Sequence, residues 1–126
     1  MQKKIILFGV GYWGKNHLRE LSSSKKVSSV FVVDPLYDQD IDLVKNYPNI
    51  NFFKSFDEIL DKQIKADGAI IATPPHTHFD IAKDCLNNDL HVLVEKPMVE
   101  KLSQLEQLKE ISQNHELYPK VKDGRG

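Results

Sequence analysis

One stretch limits what this chain can fold into more than any other: Lys3-Lys4-Ile5-Ile6-Leu7-Phe8-Gly9-Val10-Gly11-Tyr12-Trp13-Gly14. An apolar run stops at Gly9, and an amphipathic segment begins just after Gly11. That pattern reads as a buried strand, a tight turn and a helix start. Gly9, Gly11 and Gly14 fit G-x-G-x-x-G, the spacing of a dinucleotide-binding crossover. Gly9 permits the turn. Gly11 has no Cβ to hold a pyrophosphate away from the backbone, and Gly14 lets the helix pack close to the strand. The helix start then offers unpaired N–H groups and a positive dipole end to phosphates. Asp34 closes the next apolar run, twenty residues after Gly14.

The chain has 126 residues, enough for one domain with a core but hardly for two. Its net charge of −1, with no basic block, argues against nucleic acid and anionic membrane as partners. No apolar run is long enough to span a bilayer. The single cysteine, Cys85, excludes an internal disulfide framework and fits a reducing compartment. Lys3-Lys4 before Ile5 to Trp13 imitates a signal peptide, but glycines interrupt the run and no small-x-small site follows. The expectation is a mature N-terminus and a cytoplasmic protein.

Apolar runs then alternate with helix-patterned segments. A helix is predicted from Tyr12 to Ser23, with Leu18 and Leu21 inward. A β-branched strand follows over Val27 to Val33, stopped by Asp34-Pro35. Ile41, Val44 and Tyr47 suggest a short helix, and Ile50 to Phe53 a short strand. Ser55 with Glu58 reads as a capping box opening a helix that ends near Lys62. Gly68 to Thr73 is the next strand, cut by Pro74-Pro75. Phe79, Ala82 and Leu86 mark a helix face, and Leu90 to Val94 another strand. Ser103 with Glu106 reads as a second capping box, with Leu105, Leu108 and Ile111 inward. Leu117 to Val121 is a possible sixth strand, weakened by Pro119.

Strand and helix thus alternate five times. The fold class expected is α/β: a doubly wound parallel sheet, a Rossmann fold, of order 3-2-1-4-5 with a possible sixth strand. The domain is placed at 1–118, with an irregular tail at 119–126. In such a sheet ligands bind beyond the carboxyl ends of the strands, and those ends carry the unusual residues of this chain.

Asp34 stands where an adenosine ribose would lie. Its carboxylate can accept hydrogen bonds from both ribose hydroxyls and would repel a 2′-phosphate. Pro35, Leu36 and Tyr37 offer that phosphate no cation. NAD(H) is therefore favoured over NADP(H), a plain Asp-Pro turn being the alternative. Ala72-Thr73-Pro74-Pro75-His76-Thr77-His78 is a rigid loop, since two prolines fix the backbone and remove two N–H donors. His76 and His78 have no third ligand type beside them, so no metal site is expected. His78 is expected to cap, or to touch the cofactor through water. Lys96, in Glu95-Lys96-Pro97, is a cation at a strand end inside the cleft. A lysine there can transfer a proton. An ion pair on a solvated loop is the alternative, and the position opposite the glycine turn favours the chemical role. Cys85 is read as a small core residue.

Gly9-Val10-Gly11-Tyr12-Trp13-Gly14, Ala72-Thr73-Pro74-Pro75 with His78, and Glu95-Lys96-Pro97 together resemble the Gfo/Idh/MocA oxidoreductases. The resemblance runs from about Lys3 to Leu117. It implies an NAD(P)-dependent enzyme that oxidises or reduces a sugar or cyclitol carbon. By that resemblance Thr73 and Pro74 border the nicotinamide, Glu95 contacts a cofactor ribose, and Lys96 orients substrate and assists proton transfer. Tyr12-Trp13 is similar to members acting on nucleotide-linked sugars, and both residues are counted with the cofactor-binding set. The family continues into a second domain carrying an Asp-x-x-x-His pair, the substrate pocket and most of the oligomer interface. Here the chain stops at Gly126, and no histidine has an aspartate four residues before it. The expectation is the cofactor domain of a sugar or sugar-nucleotide dehydrogenase, inactive by itself and prone to homo-oligomerise. A free-standing NAD(H)-binding module for sensing or assembly is the alternative.

Overall fold

A computed structural model describes residues 2–35, 49–96, 99–114 and 119–122, with the side chains of Tyr12, Trp13 and 119–122 left aside. The strands are β1 (Lys3–Phe8), β2 (Val27–Val33), β3 (Ile50–Phe53), β4 (Gly68–Ile71), β5 (His91–Glu95) and β6 (Pro119–Lys122). The α-helices are α1 (Tyr12–Ser23), α2 (Phe56–Asp61), α3 (His78–Asn87) and α4 (Leu102–Asn114). A 3₁₀ turn at Pro75–Thr77 leads into α3. All strands are parallel, in the order β3-β2-β1-β4-β5-β6. The doubly wound sheet is therefore present, with its sixth strand. The tail expected to be irregular from 119 begins instead with β6, because Pro119 to Lys122 pair with Val92 to Glu95 at the sheet edge. A proline is tolerated on an edge strand.

Side-chain alternation splits the sheet into two faces. Ile6, Phe8, Phe31, Val33, Val92 and Val94 point to one face, where α2, α3 and α4 contribute Ile59, Ala82, Leu86 and Leu108. Leu7, Val30 and Val32 point to the other, against Leu18 of α1. The step from β1 to β2 and the steps from β4 to β6 run in opposite directions along the sheet. Right-handed crossovers then put α1 on one face and α3 and α4 on the other. Cys85 is fully buried beside Ala82 and Leu86, and burial pushes its thiol far above the usual range, as suits a core residue.

Local details depart from the sequence reading in instructive ways. β4 stops at Ile71, before Thr73. β5 starts one residue later than expected and includes Glu95, because the Leu90 N–H is taken by Cys85 O at the end of α3. Ser55 is the N-cap of α2, but its hydroxyl makes no capping bond; Glu58 Oε2 accepts from Lys54 N–H instead. The expected Ser103–Glu106 box is replaced by Gln104, whose Oε1 accepts from Glu100 and Lys101 N–H, so α4 begins at Leu102. The short helix expected around Ile41, Val44 and Tyr47 lies outside the described residues.

One contact sets how α1 sits on the sheet. A Cβ on Gly14 would stand 2.0 Å from Gly9 O. A backbone carbonyl at the sheet's centre cannot yield, so the helix would have to lift. Gly14→Ala should therefore destabilise the fold by about 3 kcal/mol despite alanine's better helix propensity. Urea unfolding followed by circular dichroism would read this; an unchanged midpoint would show that α1 does not rest on Gly9.

Candidate functional site

The sheet's register puts the singled-out residues at one level. Phe8 pairs with Val33 on one side and with Ile71 on the other, and Ile71 pairs with Val94. The residues that follow are Gly9, Asp34, Ala72 and Glu95, so all four stand on one rim. Between β1 and β4 the strand order reverses, and that reversal opens a crevice at the carboxyl ends.

The glycine turn forms the floor of this crevice. Gly9 has φ +93°, and a Cβ there would meet Ala72 O and Thr73 Cγ2 at 3.0 Å. Only glycine fits that backbone without strain. Gly11 is the N-cap of α1, and among the described residues no atom beyond its chain neighbours lies within 4 Å of where its Cβ would be. The first turn of α1 carries no acidic residue. No acidic side chain of that turn competes for its N–H groups and dipole, which suits a pyrophosphate.

Asp34 is half-buried, and its Oδ2 accepts from Val10 N–H at 3.0 Å. Its own N–H donates to Phe53 O. The carboxylate thus braces the glycine turn from the end of β2, a contact that sequence spacing did not reveal. The opposite wall is the 73–78 loop. Thr77 Oγ1 donates to Pro74 O at 2.6 Å, so the Thr73 hydroxyl must be the donor in its 2.6 Å bond to Thr77 Oγ1. Thr73 keeps lone pairs for a ligand, and Pro74 is exposed. His78 is only 1% exposed, and its Nε2 lies 2.6 Å from Thr73 O. A carbonyl only accepts, so Nε2 carries the proton. His78 therefore acts on this wall through the backbone of Thr73.

At the end of β5, Glu95 Oε1 pairs with Nε2 of His17 from α1. Sequence reasoning passed over His17. The available signal was its place on the buried stripe of α1 with Gly14 and Leu18, where a polar ring needs a partner. Lys96 is exposed just beyond Glu95. Pro97 and the side chains of Tyr12 and Trp13 lie outside the described residues. Among those described, no group of three potential ligands could hold a metal ion, and no helix is long and apolar enough to cross a membrane.

A parallel sheet with a glycine turn at its switch point and a carboxylate at the end of the second strand defines a dinucleotide-binding domain. The chain belongs to the Gfo/Idh/MocA family, the oxidoreductase family with an NAD-binding Rossmann fold, whose pattern matches residues 3–121. It is 31% identical over 111 residues to glucose-6-phosphate 3-dehydrogenase of Bacillus subtilis (strain 168), covering 88% of this chain and 31% of that protein. It is 31% identical over 94 residues to the rhizopine catabolism protein MocA of Rhizobium meliloti, covering 75% of this chain and 29% of that one. Among solved structures it superposes on GenD2 from gentamicin A biosynthesis, in complex with NAD, with a TM-score of 0.83 and 25% identity. That match covers 95% of this chain and 34% of GenD2. The chain thus spans about three-tenths of the length of these curated relatives. It is an NAD-binding Rossmann domain of the oxidoreductase type.

Gly11→Ala separates binding from folding. Its Cβ enters open space, so stability should fall by only about 1 kcal/mol from the altered cap. The same methyl stands where a pyrophosphate must approach, so NAD affinity should drop at least about tenfold, a loss of roughly 1.4 kcal/mol. Titration calorimetry beside thermal unfolding checks both; full affinity in the variant would remove Gly11 from the site.

Proposed function

We propose that this domain is the cofactor half of an NAD-dependent dehydrogenase that transfers hydride between NAD(H) and a carbon of a sugar or sugar nucleotide. The observation that carries the reading is the gathering of Gly9, Asp34, Ala72 and Glu95 on one rim, with Gly11, Thr73 and Lys96 one or two residues beyond it in the chain. The relative named glucose-6-phosphate 3-dehydrogenase supports the substrate class. In this reading the substrate pocket is built by chain beyond these residues.

NAD supplies the hydride acceptor when bound. The residues here bind, orient and move a proton. Backbone N–H groups at Gly11 and the first turn of α1 hold the phosphates. Asp34 accepts from the adenosine ribose hydroxyls. Thr73 and Pro74 form the wall on the nicotinamide side, held rigid by His78 and Thr77. Glu95 accepts from the second ribose. Lys96 orients the substrate hydroxyl and accepts its proton at Nζ; the O–H bonding pair closes the carbonyl while the C–H pair leaves the carbon with the hydride.

NAD⁺ should bind this chain more tightly than NADP⁺. A 2′-phosphate about 4 Å from the Asp34 carboxylate costs roughly 1–4 kcal/mol per charge pair. Calorimetric titration with both cofactors tests this. Asp34→Asn keeps an oxygen for Val10 N–H, removes the charge and should narrow the preference. Tighter NADP⁺ binding by the unaltered chain would overturn the role given to Asp34.

In the complete enzyme, Lys96→Met should lower kcat by about 10²–10⁴ while melting temperature and NAD affinity change little. Steady-state kinetics with NAD titration reads the difference. A wild-type kcat would return Lys96 to a solvated ion pair and favour a binding module.

A further inference from the structure

His17 is a polar ring on an apolar stripe. It follows Gly14 by three residues and precedes Leu18, so one helical turn places all three toward the sheet. Only 4% of it is exposed. Its one partner among the described residues is Glu95, with Nε2 2.5 Å from Oε1 and 5% and 13% of the two side chains exposed. A carboxylate oxygen accepts, so Nε2 carries the proton and donates.

Strand alternation explains how the two meet. Val92 and Val94 point to the face covered by α3 and α4. Glu95, the next residue of β5, must point to the α1 face. The bond then reaches from α1 past β4 to the far strand of the crevice. It ties the helix whose N-terminus faces the phosphates to the strand that carries Lys96. Such a tie is costly to leave incomplete, because a carboxylate this enclosed needs its donor.

We propose that His17 is a positioning residue for the cofactor. By donating to Oε1, it turns the Glu95 carboxylate so that Oε2, which has no hydrogen bond to a described residue, faces the crevice and accepts from a ribose hydroxyl of NAD(H). It also holds the start of the Lys96 segment at a fixed distance from the glycine turn. This inference rests on the cofactor reading above.

Two substitutions separate positioning from packing. His17→Phe keeps a ring of similar size and removes the donor. His17→Gln loses ring volume but places an N–H near the position of Nε2. Calorimetric titration with NAD⁺ should show affinity about tenfold lower for the Phe variant and within about threefold of wild type for the Gln variant. Thermal unfolding of the same samples should rank the Phe variant at or above the Gln variant. Ring ¹⁵N NMR of the free wild-type chain should show His17 protonated at Nε2. Wild-type affinity in the Phe variant, or an equal loss in the Gln variant, would overturn the proposal while leaving the cofactor reading intact. No NAD⁺ binding by wild type would overturn both.

Discussion

The seating of α1 against the carbonyl of Gly9 is the constraint on which the rest depends. With no Cβ at Gly14, the helix approaches the central strand closely enough to aim its first N–H groups over the strand ends. The same approach brings His17, one turn further along, within reach of Glu95. A helix held one side-chain layer higher would lose both. The glycine turn is therefore as much a packing device as a ligand cradle. The brace from Asp34 to Val10 N–H holds its other side.

Parallel register does the second part of the work. Phe8, Val33, Ile71 and Val94 stand in register across β1, β2, β4 and β5, so four separate chain segments deliver their next residues to a single rim. Each delivered group has a defined use of its hydrogen-bonding capacity. Asp34 Oδ2 accepts from Val10 N–H, and Glu95 Oε1 accepts from His17 Nε2. Thr73 spends its hydroxyl proton on Thr77 and its carbonyl on His78. These internal bonds orient the groups before any ligand arrives, which lowers the ordering cost of binding.

The sequence reading was right where local pattern decides. Apolar runs bounded by glycine, proline and aspartate marked β1, β2 and β3, and β-branched content told strand from helix. The G-x-G-x-x-G spacing located the turn, because each glycine answers a steric demand visible in one stretch of chain. Capping was less legible. Ser55 and Ser103 had the expected spacing, yet Glu58 and Gln104 satisfy the helix starts, since several flexible side chains compete for the same N–H groups. The edge strand at Pro119 was underrated because proline's missing N–H matters only in the middle of a sheet.

By itself the sequence determined the alternation of strands and helices, the glycine turn and the carboxylate after the second strand, all set by neighbours within a few residues. Tertiary structure alone decided which groups meet across the sheet. His17 and Glu95 are 78 residues apart. Their contact requires parallel register, the side of the sheet that handedness assigns to α1, and the alternation that turns Glu95 toward it. The buried bond from His78 Nε2 to Thr73 O likewise depends on how α3 packs. A side chain's partner depends on which faces are covered, and coverage is a property of the whole fold.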